Sequence, residues 1–104
     1  MALTTMAGRE IHVDADGFMT EFGEWTEELG EMLASNIDLE LTDAHRDVMK
    51  FLRADFQEMG ETPTLRRVSI AGGFSTKDLF TLFPKKPARK MSYVAGLQKP
   101  KGCI

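Results

Sequence analysis

A chain of 104 residues, 42% hydrophobic and 28% charged, is enough polypeptide for one core and too little for two. No apolar run approaches the roughly 20 residues that cross a bilayer, and MALTTMAGREIHV lacks the apolar stretch of a secretory signal, so a cytoplasmic protein without membrane contact is expected. The net charge of -3 hides an asymmetry: six of the 13 basic residues lie in residues 84–104 with no acid among them, which leaves the first 83 residues at -9 and the last segment at +6. Such polarity bears on partners and steering rather than on fold.

In chain order, REIHV (9–13) alternates in character, DADG (14–17) is a turn signal and FMTEF follows, which reads as a short hairpin with a four-residue loop. Two strands are marginal alone and must lean on helices. Thr26 is an N-cap with Glu27 and Glu28 in the first turn, opening a helix to about Ser35. Thr42 caps a second helix, with Asp43 in its first turn and Gly60 as its stop; Ala44, Val48, Phe51, Leu52, Phe56 and Met59 form its apolar stripe. Thr62-Pro63-Thr64 begins a third helix through about Ala71, ended by Gly72-Gly73. Ser75 caps a fourth, TKDLFTLF, which Pro84 terminates, and Pro87 opens a fifth, PARKMSYVA, ended by Gly96.

The expected fold is therefore mainly α: a bundle of about five helices with an N-terminal β-hairpin over residues 1–96, and a flexible C-terminal arm over 97–104. The core is expected to hold Phe51, Leu52, Phe56, Leu65, Val68, Ile70, Leu79, Phe80, Leu82 and Phe83. Trp25, just before a helix cap, reads as a staple onto that core.

The only cysteine, Cys103, is next to last, in LQKPKGCI. Gly96 and Gly102 loosen this segment, Pro100 excludes regular helix, and Lys99 and Lys101 favour water. A lone thiol forms no internal disulfide, but it can bridge to a partner, accept sulfur or be oxidised. Prenylation needs a cysteine four from the end, and Met1-Ala2 lacks the glycine for myristoylation. His12 and His45 have no zinc-like spacing; they read as a strand-face residue and a solvent-facing helix residue, and neither metal nor cofactor is expected. Arg66 and Arg67 on a short helix after a turn resemble a helix-turn-helix, but the -9 body has the wrong sign for a phosphate-binding face, so direct nucleic-acid binding is not expected.

The ending KMSYVAGLQKPKGCI resembles the C-terminal arm of the DsrC/TusE family of sulfur-relay proteins, a variant of KIAGLPKPxxC followed by one aliphatic residue. Val94, Ala95, Gly96, Leu97, Lys99, Pro100, Cys103 and Ile104 fall into that frame. GREIHVDADGFM is similar to the family's hairpin, EWTEEL to its first helix and LFPKKPARK to its LFPxGPxK-type segment. Gln98 stands where the family usually has proline. Ser92 stands where two-cysteine members carry their second thiol, so the resemblance implies the one-cysteine, TusE-like branch.

The resemblance implies a sulfur carrier without turnover of its own. It would take persulfide sulfur on Cys103 from a TusBCD- or DsrEFH-like sulfurtransferase complex, for a tRNA thiolase in 2-thiouridine synthesis. The alternatives are a DsrC-related role in sulfur oxidation, with sulfite reductase as partner, and a DNA-binding regulatory relative. Chemically, Cys103 must react as a thiolate; Lys99 and Lys101 favour that form while the terminal carboxylate beside Ile104 opposes it, so little activation is expected before docking. Residues 97–104 span at most about 26–29 Å when extended, enough to enter a partner's cleft, with Gly96 as the hinge and Lys99, Pro100, Lys101 and Gly102 as the docking arm.

Overall fold

The computed structural model describes residues 2–6 and 8–100. The elements are β1 (Ala2–Met6), β2 (Arg9–Val13), a 3-10 turn (Phe22–Glu24), α1 (Glu27–Asn36), α2 (Asp43–Met59), α3 (Leu65–Gly72), α4 (Thr76–Leu82) and α5 (Pro87–Val94). The hairpin is present, but its partner strand differs from the expected one: β2 pairs antiparallel with β1, Leu3 opposite His12 and Thr5 opposite Glu10. The DADG turn does form. Asp16 and Phe18 amides donate to Asp14 Oδ1 at 2.9 and 3.0 Å, and the chain doubles back far enough for one bridge, Val13 to Met19. The ladder stops there for a local reason. Thr20 N–H donates to the His12 carbonyl at 3.0 Å, but the His12 N–H on that edge is taken by Glu24 Oε1 at 2.8 Å. A captured edge donor cannot pair further.

The helix boundaries follow their caps. Thr26, Thr64 and Ser75 hydroxyls accept from the amides three residues on, of Leu29, Arg67 and Asp78. At α2 the reciprocal partner is an imidazole: Thr42 N–H donates to His45 Nδ1 at 3.0 Å. His45 Nε2–H in turn donates to the Leu82 carbonyl at 2.7 Å, and the ring meets Phe83 edge-on at 5.0 Å. His45 is thus buried rather than solvent-facing, because both ring nitrogens are consumed by backbone groups. The tautomer with hydrogen on Nε2 follows from those partners.

The core runs through β2, all five helices and the segment after α5, with Ile11, Leu29, Leu33, Val48, Leu52 and Phe83 fully enclosed. Leu52, Val68, Leu79 and Phe83 are buried as expected, and Phe51, Phe56, Leu65 and Leu82 pack half-buried against them. Ile70 and Phe80 are corrections: they are 70% and 49% exposed, on the outer faces of two short helices whose inner faces carry Val68 and Leu79. α5 packs against α1, α2 and α4, a central position for the element that precedes the arm. Among the described residues no helix is long and apolar enough to cross a membrane.

Candidate functional site

Cys103, with Lys101 and Gly102, lies outside the described residues, so the geometry available is that of its mounting, residues 92–100. α5 ends in a Schellman motif: Gly96 N–H donates to the Tyr93 carbonyl at 3.2 Å and Leu97 N–H to the Ser92 carbonyl at 3.0 Å, with Gly96 at φ +72°. That geometry turns Leu97 back onto the body, where it is 1% exposed. The next residues are tied down in turn. Thr62 Oγ1 donates to the Gln98 carbonyl at 2.7 Å, Lys99 Nζ donates to Asp16 Oδ2 at 2.8 Å, and Pro100 is buried. Residues 97–100, read from the sequence as the start of the arm, therefore form a strap against the bundle. An apolar residue directly after the helix-ending glycine was the available signal for it.

Gly96, expected as the hinge, is closely packed. A Cβ at this position would lie 2.2 Å from Trp25 Cδ1 and 2.6 Å from Cγ, so the indole rests directly on the glycine backbone. Trp25 Nε1–H donates to the Val94 carbonyl at 2.9 Å. Arg53 completes the clamp: its guanidinium lies 3.9 Å from the Phe22 ring centre and 4.3 Å from that of Trp25. It also donates to the Ala95 carbonyl at 2.9 Å and the Phe22 carbonyl at 3.0 Å. One α2 cation thereby joins the turn before α1 to the end of α5.

Ser92 is fully buried, and its hydroxyl donates to the Ala88 carbonyl at 2.7 Å, the usual way a mid-helix serine satisfies itself. Lys99, expected to favour the Cys103 thiolate, has its ammonium on Asp16, whose carboxyl is held below its ordinary value by the Lys99 hydrogen bond first and the Lys99 charge second. His12 Nδ1–H donates to Glu24 Oε2 at 2.8 Å and lies apart from His45. Among the described residues no three of His, Cys, Asp and Glu converge as metal ligands.

The first turn of α3 does not present two free arginines. Arg67 grips Asp55 with three hydrogen bonds of 2.6–3.0 Å, from Nε to both carboxylate oxygens and from Nη2 to Oδ1. Arg66 is exposed, whereas Arg67 is half-buried with its guanidinium committed to Asp55. Asp55 is buried, and the Arg67 hydrogen bonds outweigh desolvation to hold its carboxyl below the ordinary carboxylate value. A carboxyl whose pKa is lower folded than unfolded stabilises fully above its unfolded value and loses that contribution as pH falls towards the folded one. Melting of wild type and Arg67→Ala from pH 7 downward should show a gap of several degrees that stays constant to about pH 4 and closes below it. A gap independent of pH would show that the pair acts through packing alone.

A family model, DsrC like protein, matches residues 5–104. The chain belongs to the DsrC-like family. Among curated relatives of this DsrC-like chain, Sulfurtransferase TusE of Photorhabdus laumondii is 32% identical over 111 residues, covering 100% of both chains. Sulfurtransferase TusE of Escherichia coli K12 is 34% identical and covers 93% of this chain and 95% of the relative. Of the solved structures, the oxidized gamma-subunit of the dissimilatory sulfite reductase (DsrC) from Archaeoglobus fulgidus superposes with a TM-score of 0.82 at 30% identity, over 99% of this chain and 100% of that one.

Proposed function

We propose that this DsrC-like chain is a cytoplasmic sulfur carrier that takes a sulfane sulfur on Cys103 and hands it to a partner. The observation that carries the reading is the ending itself: within a family match reaching residue 104, a single thiol follows a strap whose last described residues are Lys99 and Pro100. In the loading step the Cys103 thiolate attacks the outer sulfur of a donor persulfide. The new S–S bond to Cys103 forms as the donor's S–S bond breaks, and the donor leaves as a thiolate, with no net oxidation. The donor in this reading is a TusBCD- or DsrEFH-like complex and the acceptor a tRNA thiolase, in keeping with the names of the curated relatives. With residues 97–100 strapped down, the four residues beyond Pro100 reach at most about 13–14 Å, roughly half the span of a free arm from Leu97. Delivery into a deep cleft then requires the strap to lift.

The experiment is direct. Incubation with a persulfide donor, followed by peptide mass analysis, should add about 32 Da to the Cys103 peptide, and a thiol reductant should remove it. A chain left unmodified by every competent donor would overturn the reading.

Ser92 is what favours tRNA thiolation over the two-cysteine chemistry of sulfite reductase partners, since a hydroxyl forms no disulfide or trisulfide with Cys103. Wild type under mild oxidation should therefore give only intermolecular disulfides. Ser92→Cys should instead give a monomeric internal disulfide at low protein concentration, a loss of about 2 Da without doubling of mass. Because position 92 is enclosed and Leu97 N–H bonds its carbonyl, closure should be slow in the intact fold and faster in mild denaturant. Dimer alone, under both conditions, would mean that the arm is kept away from α5.

A further inference from the structure

Beside the strap lies a half-open groove of about 480 Å³ that the loading chemistry does not use. Its floor is apolar: Phe18 and Tyr93 meet edge-to-face at 5.7 Å, with Ile37 beside them. Its walls are cationic, built from Lys85, Lys86, Arg89 and Lys90, and among the described residues Asp16 is the one acid lining it. Lys85 and Lys86 are exposed and both hold left-handed backbone, at φ +59° and +52°, a conformation costly for a side chain with a Cβ. The bend it produces lies just ahead of α5, and both lysines line the groove.

We propose that this groove is the docking site for an acidic, partly apolar segment of a partner protein. The partner's identity as relay donor or acceptor rests on the sulfur-carrier reading, but the groove's preference for carboxylates does not. Charge decides the class of occupant. A short acidic segment meets four cations and an aromatic floor, whereas a long polyanion such as RNA would run on over a body carrying a net -9 in residues 1–83. Apolar side chains of the segment cover Phe18, Ile37 and Tyr93 while its carboxylates face the lysines.

Asp16 ties this site to the arm. Its carboxylate holds Lys99 Nζ at 2.8 Å and lies 3.9 Å from Arg89 Nη2, so it occupies in advance part of what an incoming carboxylate would take. Docking competes with Asp16 for both cations and loosens the strap when a partner is present.

The test uses the full chain, labelled with nitrogen-15, and a short synthetic peptide alternating glutamate and leucine as probe, at physiological salt. A lysine–leucine peptide and a short oligouridylate serve as the other arms. Saturable amide shifts centred on Asp16, Phe18, Ile37 and residues 85–93, with smaller ones in the strap at residues 97–99, are expected with the acidic peptide only. Lys85→Glu with Lys86→Glu should weaken binding about tenfold, and Asp16→Asn should tighten it roughly threefold. Shifts centred elsewhere, equal binding of the oligouridylate, or weaker binding by Asp16→Asn overturns the proposal. The wild-type shift map decides independently of whether the charge-reversed variant folds, which its melting curve reports. Sulfur loading of that variant by a small persulfide should match wild type. If wild type itself fails to load, the carrier reading falls while the groove result stands.

Discussion

Cys103→Ser should abolish sulfur loading completely and leave thermal stability unchanged within error. The chemistry admits no substitute: a serine hydroxyl is neither ionised near neutral pH nor a nucleophile towards sulfane sulfur, and the chain has no second cysteine. Stability should be untouched because the buried core of the described residues closes over 11–97 without the thiol. Mass spectrometry after incubation with donor, together with a melting curve, reads both outcomes. Residual loading in the variant would place the acceptor atom elsewhere; a large fall in melting temperature would mean that the thiol has a packing role.

Gly96→Ala should be among the most destabilising single-methyl additions in the molecule. The left-handed backbone alone costs an alanine about 1 kcal/mol or more. The added carbon then requires Trp25 to move, since ring atoms Cδ1 and Cγ stand 2.2 and 2.6 Å from it. Moving the indole weakens its hydrogen bond to Val94, about 1 kcal/mol, and its stacking with Arg53, about 0.5–1 kcal/mol. The total is roughly 2–4 kcal/mol, or about 10–25 °C in melting temperature for a domain of this size. The mechanism has a signature beyond the loss itself. In a Trp25→Ala background the same substitution should cost only the backbone strain, a non-additivity of about 1–2 kcal/mol. Equal costs in both backgrounds would remove the indole from the explanation.

What could be read from the residues alone was whatever is decided within a few positions. Thr26, Thr42, Thr64, Ser75 and Pro87 each open the helix expected of them, because capping depends on the next three residues and on little else. The ending KPKGCI was legible for a different reason: its meaning lies in a family pattern rather than in packing. Hidden were the choices settled at a distance. Two segments flank β2, and Glu24, twelve residues away, is what prevents the second from forming a ladder. His45 resembled a surface residue until the Leu82 carbonyl, 37 positions on, supplied its second partner. Ile70 and Phe80 occupy positions that periodicity marks as apolar, but α3 and α4 are too short to bury both faces. Asp16 had no local mark of the role it takes with Lys99.

The strap has a kinetic consequence. Its fastening and those of the α5 end that carries it join residues 83, 69 and 42 positions apart, from Lys99 to Asp16, Trp25 to Val94 and Arg53 to Ala95. Each helix, by contrast, closes its own bonds over four residues. Loop-closure entropy makes such distant fastenings follow the helices in time, so this seam is the last to join during folding. Contacts made after the rate-limiting step leave the refolding rate nearly alone and set the unfolding rate. Lesions at Trp25 or Gly96 should accordingly steepen escape from the native state while the return remains fast. The same ordering lets the seam part on its own, below the cost of melting the bundle. The segment leading to Cys103 can thus be released and refastened many times within the lifetime of one folded molecule.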